Sequence, residues 1–466
     1  PGGMFSGMGV TNGFFDPIGL ALGTYTVTYT VTDGSGNSNS TDLTVAYVEA
    51  PSLTVTALGD VVDPFDGQTS LREALAYAAT LTGAQTVAFS NTSAGGAVNF
   101  HDAAPDTITL GGAALEIIGN VTVDGPGADL LTVDAIGNSR VFTLPGNDPA
   151  IDITLRGVRV VNGDAFRGGG LRVSNGILRV EACVFEDNVA AAEGGAISSD
   201  AVTLTLTDTT FLNNEADDGG AIDVQGDGAC RRGHFEGNQS AEDGGAVSFG
   251  GGTFIISDTL FTGNDAIDEG GAIDSDGTDL LLLNCTLSGN TAGTTGGGIN
   301  NQGGLTVVNC TITGNRADAD GAELNPGTPD EGLGGGGIRT DDSRGLLLLH
   351  NTIVAGNRRG APGSDVAADL STALPADIGV DAASSNNLIG DPGFVGELVH
   401  GVNGNIIGKE DSGGPRIEWP LAEILNPVLA LNGGETFTHA LAIGSPALDA
   451  GVNAFAVDES SVPLAT

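Results

Sequence analysis

A repeat of about 25 residues is the feature of this sequence that most constrains its fold. Each unit places an apolar residue three positions before an asparagine and follows both with a Gly-Gly pair, as in the unit from Phe185 to Ile197. Successive asparagines of the series lie 26, 24, 26, 26 and 25 residues apart: Asn188, Asn214, Asn238, Asn264, Asn290 and Asn315. A fixed period of this length indicates stacked structural units rather than a single globular core.

The repeat predicts an all-β fold, a right-handed parallel β-helix solenoid with three short strands in each coil. Coils stacked about 4.8 Å apart would align equivalent side chains in columns. The asparagines would then form an amide ladder, and the Gly-Gly pairs would supply a bend with positive φ and a close contact between coils. The apolar position would form a buried aromatic column of Phe185, Phe211, Phe235 and Phe261.

We divide the chain into three regions. Residues 1–50 contain two strand-like runs that alternate β-branched and aromatic residues, which predicts part of an Ig-like β-sandwich. Residues 51–360 contain the β-helix. In residues 361–466 the repeat is lost, and we expect a loop-rich extension with short strands that continues or caps the β-helix.

Two further elements are expected within the β-helix region. An amphipathic helix over 70–81 begins with the capping box of Ser70 and Glu73, and it would cover the open end of the solenoid. Residues 316–335 are rich in Asp, Gly and Pro, which predicts a loop that leaves the stack.

Charge and composition exclude several classes of protein. The chain has 59 acidic residues against 16 Lys and Arg, a net charge of −43, so a nucleic-acid partner is excluded by sign. With 40% hydrophobic residues it can form a core and is not a disordered chain. It contains no apolar run long enough for a membrane helix, so we expect no membrane insertion.

The acidic residues are concentrated before the Gly-Gly pairs, where Glu193 begins a series that recurs from coil to coil. Coils in register would bring these carboxylates close together, and the repulsion would have to be relieved by cations, salt or protonation. We consider a Ca²⁺ ladder, since Ca²⁺ prefers oxygen ligands in irregular geometry, against a solvated acidic face screened by salt. Asp223 would extend the series. The candidate ligands are Asp217, Asp218, Glu242, Asp243, Asp268, Glu269, Asp274 and Asp276.

Cys285 and Cys310 occupy the same position in adjacent units, so they would stack. A disulfide is geometrically possible between them, and a buried pair of free thiols is the favoured interpretation.

Several segments resemble bacterial surface β-helix proteins of the choice-of-anchor Q type, and the coils are similar to polymorphic-outer-membrane-protein repeats. The choice-of-anchor segments are 69–75, 123–129, 431–441 and 444–451, and the resemblance covers roughly 52–460. It implies a secreted or cell-surface fibre or adhesin. Residues 5–29 resemble the second half of bacterial Ig-like adhesin repeats.

From these features we expect a non-enzymatic, extracellular structural or adhesive protein of the cell surface. Both ends of the sequence look cut, so we expect a segment of a longer chain, or a protomer that assembles into filaments by strand complementation. Its partners would be neighbouring modules, further copies of itself, or surface glycans.

An enzyme or binding protein that acts on polysaccharides, of the pectin lyase-like type, is the alternative. The Gly-His-Gly and Arg-Ile-Lys motifs of galacturonan hydrolases are absent from the sequence. Lyases need a cationic base, and the dense group of arginines between Arg156 and Arg179 is better explained by surface ion pairs. We therefore assign no catalytic residue.

Overall fold

The chain folds as a parallel β-solenoid. The computed structural model describes residues 2–145, 150–200, 203–319, 334–341, 347–363, 366–372, 379–434 and 436–455. Within them, four long sheets of 11, 12, 9 and 10 strands run along the stack, and we number them sheets 1 to 4 in the order in which one coil meets them. The predicted all-β solenoid is confirmed, but each central coil has four strands and not three.

Sheet 1 joins successive coils in parallel register. Its strands are Thr54–Val55, Gln85–Phe89, Val121–Asp124, Asp152–Arg156, Ile177–Glu181, Thr203–Thr207, Gly228–Arg231, Thr253–Ser257, Asp279–Leu283, Gly304–Val308 and Leu347–His350. Sheet 2 follows after a short turn. Its strands are Asp106–Thr109, Leu131–Asp134, Arg159–Val161, Val184–Glu186, Thr210–Leu212, His234–Glu236, Leu260–Thr262, Thr286–Ser288, Thr311–Thr313, Ile353–Ala355, Leu388–Ile389 and Ile406–Ile407.

Sheet 3 carries the additional strand, which has only two residues in most coils. Its strands are Asp164–Arg167, Val189–Glu193, Glu215–Ala216, Gln239–Ser240, Asp265–Ala266, Thr291–Ala292, Arg316–Ala317, Arg358–Arg359 and, antiparallel to the last of these, Val366–Ala367. Sheet 4 follows the Gly-Gly turn. Its strands are Leu115–Glu116, Phe142–Leu144, Leu171–Val173, Ile197–Asp200, Ile222–Gln225, Val247–Phe249, Ile273–Ser275, Ile299–Asn301, Ile338–Thr340 and Leu370–Thr372.

The phenylalanine column predicted from the repeat lies in sheet 2, with all four rings buried. Neighbouring rings are nearly parallel, and the ring centroids of Phe185 and Phe211 are 5.4 Å apart. Phe235 lies 4.7 Å from both Phe211 and Phe261. Leu287 and Ile312 continue the column in the next coils. The stacked rings form the centre of the continuous hydrophobic core.

The predicted asparagine ladder is also confirmed, and its six members are completely buried. In each rung one Oδ1 accepts both the backbone N–H and the side-chain amide of the preceding asparagine; Asn264 does so for Asn238 at 3.0 and 2.9 Å. The ladder continues through Asn357 and ends at Asp369, whose Oδ1 accepts the Asn357 amide at 2.9 Å. Every rung therefore satisfies polar groups that are far from water.

The Gly-Gly pairs have the two roles expected of them. Gly194 has a φ of +60°, and a Cβ on Gly195 would lie 2.3 Å from the carbonyl oxygen of Gly220 in the next coil. A side chain at either position would strain the bend or separate the coils.

The N-terminal end of the solenoid is covered by the predicted helix, which spans Leu71–Ala78 and so ends three residues before the expected limit. Ser70 is its N-cap, and the capping box with Glu73 is formed. The buried face of the helix packs on the first coils. That face consists of Leu71, Ala74, Leu75 and Ala78.

The N-terminal region forms one three-stranded antiparallel sheet of Met4–Ser6, Gly23–Thr32 and Ser38–Tyr47, with the last two paired over ten residues. A small hairpin pairs Val10–Thr11 with Phe14–Phe15. The Ig-like character of this region stays a prediction.

The C-terminal region contributes the last strands of sheets 2 and 4 and then folds back outside sheet 2. A short helix, Leu421–Ile424, leads into a hairpin of Leu425–Ala430 and Thr438–Leu441. The only other helical segments in the described residues are the single 3-10 turns Ala94–Gly96 and Asn453–Phe455. Within the predicted loop at 316–335, residues 320–333 lie outside the described residues, as do 456–466.

Candidate functional site

The acidic residues before the Gly-Gly pairs stack in register as two adjacent columns. The outer column of Asp217, Glu242 and Asp268 is exposed, and backbone hydrogen bonds of 2.8 and 2.9 Å join its members. The inner column is half-buried and follows the same register. It consists of Glu193, Asp218, Asp243 and Glu269.

A third column, on the outer face of sheet 4, faces the inner one. In successive coils it runs Ser198, Asp223, Ser248, Asp274 and Asn300, and these residues are strand-paired in that order. Its two carboxylates are buried despite pointing away from the hydrophobic core, with Asp223 only 1% and Asp274 6% exposed. The inner column and this third column together form what we call the acidic groove.

The structure places Asp274 in the third column of the acidic groove, opposite the predicted ligands of the inner column. The amide of Asn300 donates to Asp274 Oδ1 and to Glu269 Oε2, both at 2.7 Å, and so joins the two sides of the groove. Arg339 donates to Asn300 Oδ1 at 2.8 Å. Asp276, the last predicted ligand, is exposed. Calcium binding by the eight predicted ligands stays a prediction.

Burial raises the pKa of several carboxyl groups of the groove. Desolvation, followed by the nearby Glu242 and Glu193, raises the pKa of Asp218. Desolvation also raises the pKa of Asp243 to about 6 and that of Glu269, and it raises the pKa of Asp274 well above its usual range. The groove therefore has more carboxyl groups than it can ionise without a counter-charge.

The tightest carboxylate cluster lies at one end of the groove and was only partly expected. Glu193, Asp200 and Asp223 each place an oxygen within 4.8 Å of the other two. Glu193 comes from sheet 3, and Asp200 and Asp223 come from adjacent strands of sheet 4. Desolvation raises the pKa of Asp223 to about 7, with smaller contributions from the charges of Glu193, Asp200 and Asp218.

Sequence reasoning named Glu193 and Asp223 in the acidic series but missed Asp200. The signal available was the alternation Ile197-Ser198-Ser199-Asp200, which predicts that Ser198 and Asp200 share the outer face of the strand. The proximity of Asp200 to Glu193 depends on the turn between sheets 3 and 4, which the repeat pattern does not specify.

The dense arginines form ion pairs, as the sequence predicted. Arg156 pairs with Asp124 at 3.0 Å, and Arg179 pairs with Asp152. Two of the arginines contact the carboxylate cluster: Arg167 lies 2.8 Å from Glu193, and Arg172 lies 3.2 Å from Asp200.

The cysteine pair has the expected register and is reduced. The backbone N–H of Cys285 points to Cys310 Sγ at 3.3 Å, and both thiols are free and buried. Desolvation raises the pKa of the Cys285 thiol well above its usual range, which makes it unreactive.

A second candidate site lies where the C-terminal hairpin reaches back over sheet 2. Thr436 and Phe437 close a cavity of about 620 Å³ above Arg231, Arg232 and His234. His439 anchors the hairpin, since its Nε2 lies 2.9 Å from the hydroxyl of Ser288. Farther along, Phe455 stacks on His350 with ring centroids 4.2 Å apart.

The fold and its columns define a repetitive parallel β-solenoid with an acidic groove along one corner. Residues 182–200 match the family described as the Chlamydia polymorphic membrane protein repeat. This segment holds Phe185, Asn188 and the pair Gly194-Gly195, the residues that define the repeat. No curated protein and no solved structure gives a significant match to the chain. None of the helices in the described ranges is sufficiently long and apolar to cross a bilayer.

Proposed function

We propose that this chain is a structural or adhesive segment of an extracellular, cell-surface protein and is not an enzyme. The observation that carries the proposal is the match of one coil to a repeat named for a polymorphic membrane protein, within a solenoid built from the same unit.

The packing suits a load-bearing rod. Each coil is joined to the next by strand pairing, by the asparagine ladder and by the aromatic column. The 12 strands of sheet 2 correspond to a stack about 50 Å long at the usual strand spacing. A net charge of −43 keeps such a surface hydrated and resistant to nonspecific association.

Self-association or docking of a neighbouring module would use the N-terminal sheet. Ser38–Tyr47 is ten residues long and lies at the edge of that sheet, with no partner on its second side among the described residues. A long edge strand is a template for strand addition. We propose this edge as the point at which filaments form by strand complementation.

The surface role is tested by labelling intact source cells with antibodies against the solenoid, with permeabilised cells as the control. Equal labelling of both supports an extracellular location, and labelling only after permeabilisation contradicts it. Filament formation is tested by electron microscopy of the purified chain beside a Thr44→Pro variant. The alternating register of the hairpin turns the N–H of Thr44 to the free side of the edge strand, and proline removes that donor. If the wild type and the variant form filaments equally well, the edge strand is not the contact between copies.

Binding of acidic surface glycans is the second candidate function, and the cavity beneath Phe437 favours it. Its volume of about 620 Å³ is within the usual range for a ligand site. It combines an aromatic ring that is 44% exposed with the guanidinium of Arg231, in a chain with few cations. Arg232 is held by Asp208 at 2.6 Å, which fixes the wall of the cavity.

Calorimetric titration with oligogalacturonates tests this candidate. We expect wild-type binding that weakens at least tenfold in Phe437→Ala and Arg231→Gln. Phe166→Ala is the matched control, since Phe166 is also exposed but lies in sheet 3 and does not line the cavity. Equal affinity of all four proteins would show that the cavity is not the binding site. Release of unsaturated or shortened products would show that the protein cleaves the oligosaccharide and does not only bind it.

A further inference from the structure

The carboxylate cluster of Glu193, Asp200 and Asp223 contains an unmet bonding requirement. Asp223 is 1% exposed, and its Oδ1 accepts the Gln225 amide at 2.9 Å, but its Oδ2 has no hydrogen-bond partner. The hydroxyl of Ser198, the strand partner of Asp223, is also buried and has no partner. Buried oxygens without partners are costly, and a bound ion would supply the contacts that these two oxygens lack.

The spacing of the carboxylates matches one coordination sphere. Ca²⁺ binds oxygens at 2.3–2.6 Å, so two ligands on opposite sides of the ion are about 5 Å apart. The three carboxylate oxygens lie within 4.8 Å of one another and come from three different strands. One ion could therefore contact all three without a change in the backbone.

The local charge balance favours a divalent cation. Asp223 interacts with three other carboxylates, those of Glu193, Asp200 and Asp218. The guanidiniums that contact this group are those of Arg167 and Arg172. Four negative and two positive charges leave two negative charges without compensation, in a site where the central carboxylate is buried.

We propose that Glu193, Asp200 and Asp223 form a specific Ca²⁺ site, with Ser198 as a further oxygen donor, that joins two adjacent coils across the turn between sheets 3 and 4. Glu193 and Asp223 belong to the acidic series considered for a Ca²⁺ ladder, although neither is among its eight candidate ligands, and Asp200 is new to it. The proposal is independent of the surface role, because the site would stabilise the solenoid whatever it binds.

The test is calorimetric titration of the chelator-treated full chain with CaCl₂. The proposal predicts saturable binding with a stoichiometry of one for this site. Asp223→Asn should weaken binding at least tenfold, although it keeps the side-chain shape. Asp217→Asn, which removes an equal charge from the exposed column, should change affinity less than threefold.

Two outcomes would overturn the proposal: no saturable binding in the wild type, or equal loss of affinity in the two variants. Circular dichroism establishes that each variant is folded. If Asp223→Asn does not fold, Glu193→Gln replaces it, and an affinity equal to that of the wild type would overturn the proposal.

Discussion

The side-chain amide of Asn238 donates to Oδ1 of Asn264 at 2.9 Å, and the backbone N–H of Asn238 donates to the same oxygen at 3.0 Å. Asn238 also donates to the carbonyl oxygen of Phe211, and its own Oδ1 accepts from Asn214. One side chain thus satisfies polar groups in the coils before and after its own.

Replacing Asn238 with alanine should strongly destabilise the solenoid. The substitution leaves the donors of Asn214 and the carbonyl of Phe211 unsatisfied in a dry interior, at a cost of about 1–3 kcal/mol for each group. We expect a loss of about 4 kcal/mol in the free energy of unfolding, measured by urea denaturation. Gln239→Ala is the control, because this neighbouring amide is exposed, and its loss should be below about 0.5 kcal/mol. Equal losses would contradict the role of the ladder.

The phenylalanine column predicts different effects for two substitutions of Phe235. Phe235→Ala should lower the free energy of unfolding by about 3–5 kcal/mol, because it opens a cavity between two rings 4.7 Å away. Phe235→Leu should cost less than half as much, since Leu287 fills the same column position after Phe261. Denaturation in guanidinium chloride measures both. A leucine variant as unstable as the alanine variant would show that ring stacking, and not the volume of the side chain, accounts for the stability of the column.

Stability should depend on pH through two buried carboxyl groups, Asp223 and Asp369. Burial raises the pKa of each to about 7 in the folded protein, against about 4 in the unfolded chain. Between about pH 4 and about pH 7, these two carboxyl groups are therefore protonated in the folded protein and ionised in the unfolded chain. The contribution of these two groups to the free energy of unfolding is therefore greatest below about pH 4, and it falls by up to about 4 kcal/mol for each group as the pH rises through 7.

Urea denaturation from pH 4.5 to 8 in EDTA checks this dependence. Asp223→Asn should flatten the profile and be more stable than the wild type at pH 8, because it removes a buried charge. Asp217→Asn should leave the slope as in the wild type, since that residue is exposed. Parallel profiles for Asp223→Asn and the wild type would exclude Asp223 as a source of the slope.

The capping helix should depend on Arg72, which makes a bidentate pair with Asp60 at 2.8 Å and also donates to the carbonyls of Ala113 and Ala114. Arg72→Ala leaves the 5%-exposed Asp60 side chain without its partner, so we expect a loss of about 3 kcal/mol. Hydrogen exchange of Leu71–Ala78 should increase first. Arg72→Lys keeps the positive charge but not the bidentate guanidinium, so it should restore only part of the lost stability. Full stability in Arg72→Lys would contradict the importance of the bidentate geometry.

The parts of the fold that repeat could be predicted, because a repeat forces equivalent residues into columns. The phenylalanine column and the asparagine ladder follow from period alone. The fourth strand of each coil was missed since segments such as Glu215–Ala216 are too short to show alternation. The return of the C-terminal hairpin was also missed, because the contact of His439 with Ser288 spans 151 residues and has no local signal.

The acidic site was predictable in part for the same reason. The outer and inner columns recur with the period, so their stacking followed from the sequence. The columns differ in burial: Asp217 of the outer column is exposed, whereas Asp223 of the third column is buried against the inner column. Nothing in the sequence shows which carboxylate loses its water, and this depends on the turn that brings Glu193 next to Asp200.

The register of successive coils is tested most directly by distances between spin labels on the outer face of sheet 3. Asp164, Val189, Glu215, Gln239 and Asp265 are exposed and strand-paired from coil to coil. With labels on cysteines at position 164 and at each later position in turn, the mean distance should grow by about 5 Å per coil, reaching about 19 Å at position 265. Distances that do not increase with coil number would contradict the stacked columns on which the proposed rod and the calcium site both depend.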